Sequence, residues 1–221
     1  MKARDVSIAI EGADSVSGLL LAPGKPRAGY VFAHGAGAGM KHAFMEAAAQ
    51  GLAERGIATL RYQFPYMERG SKRPDAPPLA QKTVRAAVEE AARLLPRTPL
   101  FAGGKSFGGR MTSQAQSSEP LPEVHGLAFF GFPLHAAGQP SDARAKHLAD
   151  VKVPMLFLQG TRDALADAQL MQGLARRLGS RATLAFFEEA DHSFHVPART
   201  GRKDAEVLDY VLAAFAKWIP T

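Results

Sequence analysis

Residues 103–109 read Gly-Gly-Lys-Ser-Phe-Gly-Gly, a stretch that fits either of two loops with different chemistry. A phosphate-binding loop of the form G-x-x-x-x-G-K-[ST] needs a glycine at position 99, where the backbone curls so that its N–H groups face the phosphates. Position 99 is Pro99, which has a fixed φ and no N–H. The pattern G-x-S-x-G, in contrast, is complete at Gly104, Ser106 and Gly108. The stretch therefore predicts a sharp strand-to-helix turn that presents the Ser106 hydroxyl as a nucleophile.

Short apolar runs typical of β-strands alternate with helical patterns on both sides of this turn, after an opening hairpin whose turn is predicted near Ala13-Asp14. The predicted strands are Val6–Ile10, Ser17–Ala22, Gly29–Ala33, Ala58–Tyr62, Leu100–Gly103, Val124–Phe130, Met155–Gln159 and Ala182–Phe187. The predicted helices are Ala43–Arg55, Leu79–Leu95, Gly108–Ser117, Leu165–Leu178 and Lys203–Trp218. This alternation indicates an α/β fold with a mainly parallel central sheet and helices on both faces. In such sheets ligands bind at the carboxyl ends of the strands.

The length and composition of the chain limit the classes of protein to which it could belong. With 221 residues and 46% hydrophobic composition, we expect a single domain spanning residues 1–221. The lack of cysteine excludes disulfides, thiolate metal sites and a cysteine nucleophile. The start of the chain lacks an apolar signal segment, and the apolar run near residues 127–134 is too short to span a bilayer. We therefore expect a cytoplasmic protein with no membrane partner.

A net charge of +6 raises the question of an anionic partner. The basic residues fall in scattered groups, such as Arg69, Lys72 and Arg73, and are not interleaved with aromatic residues as on a nucleic-acid platform. This distribution indicates a solvated basic surface and no nucleic-acid partner.

A serine nucleophile needs a histidine to accept its proton and a carboxylate to orient that histidine. The strand at Met155–Gln159 leads into a loop with Asp163, and the strand at Ala182–Phe187 leads into a loop with His192. Asp167 and His195 are the alternatives to these two residues, and Asp163 could also cap a helix that starts nearby. We favour Asp163 and His192 because each comes first after its strand.

The reaction also needs N–H donors for a developing oxyanion. The strand that ends at Ala33 enters a glycine-rich loop, His-Gly-Ala-Gly-Ala-Gly, and we assign the donors to the backbone N–H groups of Ala36 and Phe107. A dinucleotide fingerprint starting at Gly35 fails because Met40 stands where its last glycine belongs. His34 is interpreted as a brace for the loop. The remaining histidines show no paired metal-ligand spacing, so we expect no metal and no cofactor.

The motifs His-Gly-Ala-Gly-Ala-Gly, Gly-Lys-Ser-Phe-Gly-Gly-Arg, Gly-Phe-Pro-Leu-His, Leu-Gln-Gly-Thr-Arg-Asp and Asp-His-Ser-Phe resemble the α/β-hydrolase superfamily over nearly the whole chain. Within it, they are similar to the small dienelactone-hydrolase-like group that includes the testis-expressed and NSL-complex hydrolase-like proteins. The resemblance implies an α/β-hydrolase fold with Ser106, Asp163 and His192 as a catalytic triad. True dienelactone hydrolases carry cysteine where this chain has serine, so their lactone chemistry is not implied.

The predicted function is that of a serine hydrolase that cleaves a small carboxylic ester or thioester through an acyl-enzyme. The alternative is a noncatalytic scaffold of the same fold that binds a small molecule or a protein. Arg110, four residues after Ser106, could anchor a substrate carboxylate or could form an ion pair with Asp75.

The substrate pocket is predicted to be shallow. Only residues 131–154 separate two predicted strands, and they include Gly131, Pro133, Gly138 and Pro140, which leaves too little chain for a cap domain. Two loops, residues 64–67 and 132–135, are expected to wall the site, with Tyr66 and Phe132 as candidate substrate contacts.

Overall fold

The computed structural model of the protein describes residues 1–220, so Thr221, the last residue of the predicted domain, lies outside the described residues. Its strands are β1 (Arg4–Ile10), β2 (Ala13–Leu21), β3 (Ala28–Ala33), β4 (Ile57–Tyr62), β5 (Leu100–Lys105), β6 (Val124–Phe130), β7 (Met155–Gly160) and β8 (Ala182–Phe187). Its α-helices are α1 (Ala43–Glu54), α2 (Pro65–Glu68), α3 (Pro77–Leu94), α4 (Phe107–Ser118), α5 (Ala168–Leu178) and α6 (Asp204–Trp218). Short 3₁₀ helices occupy Ala143–Asp150, Gly179–Arg181 and Ala198–Thr200.

All eight strands form one sheet in the order β1-β2-β4-β3-β5-β6-β7-β8. The strands from β4 to β8 in this order run parallel, whereas β2 pairs antiparallel with both β1 and β4. This arrangement confirms the predicted mainly parallel sheet.

Helices cover both faces of the sheet because the central strands are apolar on both sides. Along β3, the alternate residues Tyr30 and Phe32 pack in a core with α1 and α6. Val31 and Ala33 point to the opposite face and pack in a core with α3, α4 and α5. A fully buried strand of this kind is typical of the centre of a parallel sheet.

Several predicted boundaries differ from the structure. The hairpin turn lies at Glu11-Gly12 rather than at Ala13-Asp14, and the latter two residues already belong to β2. Helix α5 begins at Ala168 rather than at residue 165, because the Asp167 side chain caps it by accepting a hydrogen bond from Leu170 N–H. Helix α2 and the 3₁₀ segments were not predicted, since such short elements carry little periodic pattern.

The segment between β6 and β7 adds no separate cap domain in the described part of the chain. It consists of a loop followed by the 3₁₀ helix Ala143–Asp150, which packs against α4 through its buried residues Ala145 and Leu148. Within residues 1–220, no helix has both the length and the apolar character that a membrane crossing requires.

The close packing of β5 against β6 provides a test of the fold. Gly103 has a φ of +153°, and a Cβ atom there would lie 1.8 Å from the carbonyl oxygen of Ala128. Gly103→Ala should therefore lower the free energy of unfolding by about 2–5 kcal/mol, the sum of backbone strain and overpacking. Urea unfolding measures this as a lower midpoint at an unchanged m-value.

The control for this prediction is Gly138→Ala. Gly138 also has a positive φ, +71°, but a Cβ atom there would meet nothing within 4 Å. Its substitution should cost only the left-handed backbone strain, about 1–2 kcal/mol. Equal losses at the two positions would show that the packing between β5 and β6 is looser than the structure indicates.

Candidate active site

The turn between β5 and α4 holds Ser106 in a strained conformation, with φ 50° and ψ −115°. A Cβ atom at Gly104 would lie 2.4 Å from the carbonyl oxygen of Ala33, and one at Gly108 would lie 2.6 Å from that of His34. Glycine is thus required on both sides of Ser106, because β3 and its following loop approach the turn closely. The sequence pattern G-x-S-x-G reflects this crowding, and the turn leaves the Ser106 side chain partly exposed.

His192 lies beside Ser106 although the two residues come from different parts of the chain. The distance between His192 Nε2 and Ser106 Oγ is 2.8 Å, a normal hydrogen-bond length. On its other side, His192 Nδ1 lies 2.7 Å from Asp163 Oδ2. When Nδ1 carries the ring proton and donates a hydrogen bond to this carboxylate, Nε2 is free to accept the hydrogen bond of the Ser106 hydroxyl.

Asp163 is buried and is held by further donors. Its Oδ2 accepts a hydrogen bond from Gln159 Nε2 at 2.5 Å, and its Oδ1 accepts one from Leu165 N–H at 2.8 Å. Gln159 is itself buried and accepts a hydrogen bond from Phe132 N–H. These contacts fix the carboxylate opposite His192. Gln159 was not predicted, but a polar residue at the end of an otherwise apolar strand was a signal in the sequence.

The alternative residues lie elsewhere. Asp167 caps α5, and His195 is exposed and pairs with Asp204, whose carboxylate raises the pKa of the His195 imidazole. Asp191 shapes the loop between β8 and α6 by accepting hydrogen bonds from the N–H groups of Ser193 and His195. The structure thus brings together Ser106, Asp163 and His192 of the predicted set.

One predicted oxyanion donor, Phe107 N–H, directly follows Ser106 in the chain, and the other, Ala36 N–H, belongs to the loop after β3. Phe107 N–H lies in the first turn of α4, where helix amides have no intrahelical acceptor. Neither this N–H nor that of Ala36 donates a hydrogen bond to another residue within positions 1–220. Ala36 lines the cavity next to Ser106, whereas Phe107 is not among the residues that line it, and the assignment of the two amides as oxyanion donors stays a prediction.

Two side chains brace the loop after β3. His34 is buried, and its Nδ1 donates to Gly35 O at 2.7 Å while its Nε2 accepts from Phe64 N–H at 3.1 Å. Burial lowers the pKa of His34 to about 4, so the ring is neutral at pH 7. Tyr66 Oη accepts a hydrogen bond from Gly37 N–H at 2.9 Å. These bonds hold the loop that carries Ala36.

A cavity of about 370 Å³ opens at Ser106 and His192. Its wall is mainly apolar and comes from Ala36 and Ala38 of the loop after β3, from Phe44 and Met45 of α1, and from Leu165. His42, Lys105 and Ser193 add polar groups. Lys105 was not singled out from the sequence, although it stands inside the decisive motif.

The structure corrects the predicted wall. Tyr66 and Phe132 are buried and do not line the cavity: Tyr66 braces the loop after β3, and Phe132 packs against Phe129 and Phe157. The loops at residues 64–67 and 132–135 face the core because their apolar side chains gain more from burial there.

Arg110 does not line the cavity either, which argues against its anchoring a substrate carboxylate there. The predicted ion pair with Asp75 is also wrong, because Asp75 pairs with Arg69 at 2.7 Å and accepts a hydrogen bond from Tyr66 N–H. Burial lowers the pKa of Arg110, and the neighbouring Arg144 lowers it further.

Known structures share this architecture over almost their full length. An α/β serine hydrolase without a lid from Xanthomonas campestris is 20% identical, with a TM-score of 0.77 over 100% of this chain and 97% of its own. The dienelactone hydrolase of Anabaena variabilis is 20% identical, with a TM-score of 0.77 over 99% and 97%. An α/β serine hydrolase homologue from Coxiella burnetii is 18% identical, with a TM-score of 0.76 over 97% and 98%.

At these identities the likeness shows the fold, which is the predicted α/β-hydrolase fold without a cap. Within the described residues 1–220, no group of three or more His, Asp or Glu side chains could hold a metal ion. A sequence model of the alpha/beta hydrolase domain family matches residues 26–220. The chain belongs to this family.

Proposed function

We propose that the protein is a serine hydrolase that cleaves a small carboxylic ester or thioester through an acyl-enzyme. The observation that carries this proposal is the continuous chain of hydrogen bonds from Asp163 through His192 to Ser106, at a strained turn that opens into a cavity. The family supports a hydrolase, and the choice of ester or thioester rests on the small, mainly apolar site.

The geometry supports the following acylation step. His192 Nε2 takes the proton of the Ser106 hydroxyl as Oγ attacks the carbonyl carbon of the substrate. The carbonyl oxygen becomes an oxyanion and receives hydrogen bonds from Ala36 N–H and Phe107 N–H. The Asp163 carboxylate stabilises the imidazolium that forms. The imidazolium then gives its proton to the leaving alcohol or thiol, and the acyl group remains on Ser106.

Deacylation uses the same groups in reverse. His192 Nε2 takes a proton from a water molecule, and the resulting hydroxide attacks the acyl carbon. The second oxyanion occupies the same pair of backbone N–H groups. The imidazolium returns its proton to Ser106 Oγ, and the carboxylic acid leaves.

The size of the cavity predicts which acyl chains are cleaved best. A cavity of about 370 Å³ is at the small end of ligand pockets, and each methylene gains about 0.8 kcal/mol only where the protein covers it. We expect kcat/KM to peak at acyl chains of about two to six carbons. A series of esters with one leaving group and graded acyl length measures this directly.

The same series should show no activation by a lipid interface, because residues 1–220 contain no separate cap domain that could move aside. A steady rise in kcat/KM through twelve or more carbons, roughly beyond what the cavity can cover, would contradict the shallow site.

A fluorophosphonate probe tests the proposal against the alternative of a noncatalytic scaffold. Such probes react with an activated serine, so the native protein should be labelled at Ser106 and the heat-unfolded protein should not. A folded, unlabelled native protein would favour the scaffold. Four expectations from the sequence stay predictions. They are a cytoplasmic location, a single domain, the lack of a cofactor, and the narrower resemblance to testis-expressed and NSL-complex proteins.

A further inference from the structure

Lys105 occupies the variable position of the motif between Gly104 and Ser106, at the last residue of β5. Its aliphatic stem lies along the loop after β3, where a Cβ atom at Gly35 would be 3.6 Å from Lys105 Cγ. Its ammonium group reaches across to the loop after β8 and donates a hydrogen bond to the backbone carbonyl of His192, with a distance of 2.5 Å from Nζ to O. The side chain thus joins the strand that presents the nucleophile to the residue that activates it.

Aromatic rings and carboxylates surround the Lys105 ammonium group. Nζ lies 5.9 Å from the ring centre of Phe44 and 5.7 Å from that of Phe194, within the range of cation–π attraction. The carboxylates of Asp163 and Asp191 attract it electrostatically. Among residues 1–220, His192 O is the hydrogen-bond acceptor that Nζ reaches. Lys105 is partly buried at the cavity wall, and an ammonium charge in such a position is costly unless it is well paired.

Gly131 lies opposite this contact and leaves room for it. Gly131, which follows β6, has a φ of +67°, and a Cβ atom there would lie 3.0 Å from Lys105 Nζ and 3.2 Å from His192 O. Any larger residue would crowd both partners of the hydrogen bond. In the same loop as His192, Phe194 has a left-handed backbone conformation, with a φ of 63°.

Building on the proposed function, we infer that Lys105 is a positioning residue: its ammonium group holds the His192 backbone so that the imidazole reaches both Ser106 and Asp163. The inference rests on the contact with His192 O and on the glycine that makes room for it. The position of each triad residue matters when the residues come from separate loops, because a displacement of about 1 Å can cost on the order of 100-fold in rate.

The charge of Lys105 gives this contact a pH dependence. Burial lowers the pKa of Lys105 to about 8, while Asp163 and Asp191 oppose that shift. The other titratable residues that line the same cavity are His192 from the loop after β8 and His42, which caps α1. Below pH 8 the ammonium donates a charge-assisted hydrogen bond, and above pH 8 the neutral amine offers a bond about half as strong. The positioning effect should therefore weaken as pH rises through about 8.

Lys105→Met tests the inference, because methionine keeps the stem and removes the donor. Methionine removes the buried charge but leaves the His192 carbonyl without this donor, so the variant should fold with a modestly lower urea midpoint at an unchanged m-value. We expect kcat on a short neutral ester to fall about 10-fold to 100-fold with KM within about twofold of wild type. Lys146→Met, at an exposed position away from the cavity, is the matched control and should match wild type.

Two further readouts separate positioning from a merely structural role. The ratio of wild-type to Lys105→Met kcat should fall as pH rises through about 8, since only wild type has the Lys105 charge to lose. The far-downfield proton resonance of the bond between His192 Nδ1 and Asp163 should be sharp in wild type and broadened by exchange in the variant. A pH-independent ratio with an unchanged resonance would overturn the inference.

The resonance needs neither the variant nor a substrate. If Lys105→Met fails to fold, the pH dependence of the wild-type resonance decides: a solvent-exchange rate that rises more steeply than the hydroxide concentration between pH 7 and about 9.5 supports the inference, and a rise no steeper than that overturns it. If wild type turns over no ester, the proposed function fails. The resonance then still reports, one way or the other, whether Lys105 holds the ring.

Discussion

Ser106→Ala should lower kcat/KM for a short-chain ester by about 10⁵-fold or more, to the level left by the oxyanion donors and substrate binding. The loss is large because the variant has no atom to form the acyl-enzyme. The fold should persist, since the glycines at 104 and 108 and not the Ser106 side chain permit the turn. Initial rates on the purified variant, with the spontaneous hydrolysis subtracted, measure the effect.

Ser113→Ala is the matched control for this prediction. Ser113 is also paired with a histidine, with 2.8 Å between its Oγ and His147 Nε2, but it is buried in α4 and does not line the cavity. Its hydroxyl donates to Arg110 O, and burial lowers the pKa of His147 to about 4. Its removal should change kcat/KM by no more than about threefold. Loss of activity in Ser113→Ala together with retained activity in Ser106→Ala would show that Ser106 is not the nucleophile.

Asp163→Asn should lower kcat by about 10⁴-fold with a small change in KM. The asparagine amide can donate to His192 Nδ1, which stabilises the tautomer with the proton on Nε2. That nitrogen then faces Ser106 as a donor and cannot accept the hydroxyl proton. Steady-state kinetics at pH 7 measure the change.

Asp167→Asn is the control for the carboxylate. Asparagine caps a helix as well as aspartate does, so the hydrogen bond to Leu170 N–H and the start of α5 should be kept. The variant should retain wild-type kinetics. Similar losses in the two variants would mean that the loop after β7 is needed only for its overall structure and that Asp163 has no special part.

Much of the site could be predicted because it follows from strand ends. Ser106 follows β5, Asp163 follows β7 and His192 follows β8, and parallel strands bring their carboxyl ends to one edge of the sheet. The turn at Ser106 was predictable for a local reason, because glycine is needed on both sides of it. Strand ends and required glycines can both be recognised from a short stretch of neighbouring residues.

The cavity wall could not be predicted in the same way. Whether a loop side chain faces the core or the cavity depends on packing between distant segments, and this placed Phe132 against Phe129 and Phe157 instead of beside the substrate. The contributions of Phe44 and Met45 depend on how the start of α1 sits over Ser106. The bond from Lys105 to His192 O likewise joins positions 87 residues apart and leaves no local pattern.

The measurement that tests the account most directly is the trapping of the acyl-enzyme. The protein is mixed with a short-chain nitrophenyl ester, quenched in acid within the first turnover, digested and examined by mass spectrometry. We predict that the peptide containing Ser106 gains the mass of one acyl group and that the gain is absent in Ser106→Ala. Turnover of the ester with no acyl group on Ser106, or with the group on another residue, would contradict the account.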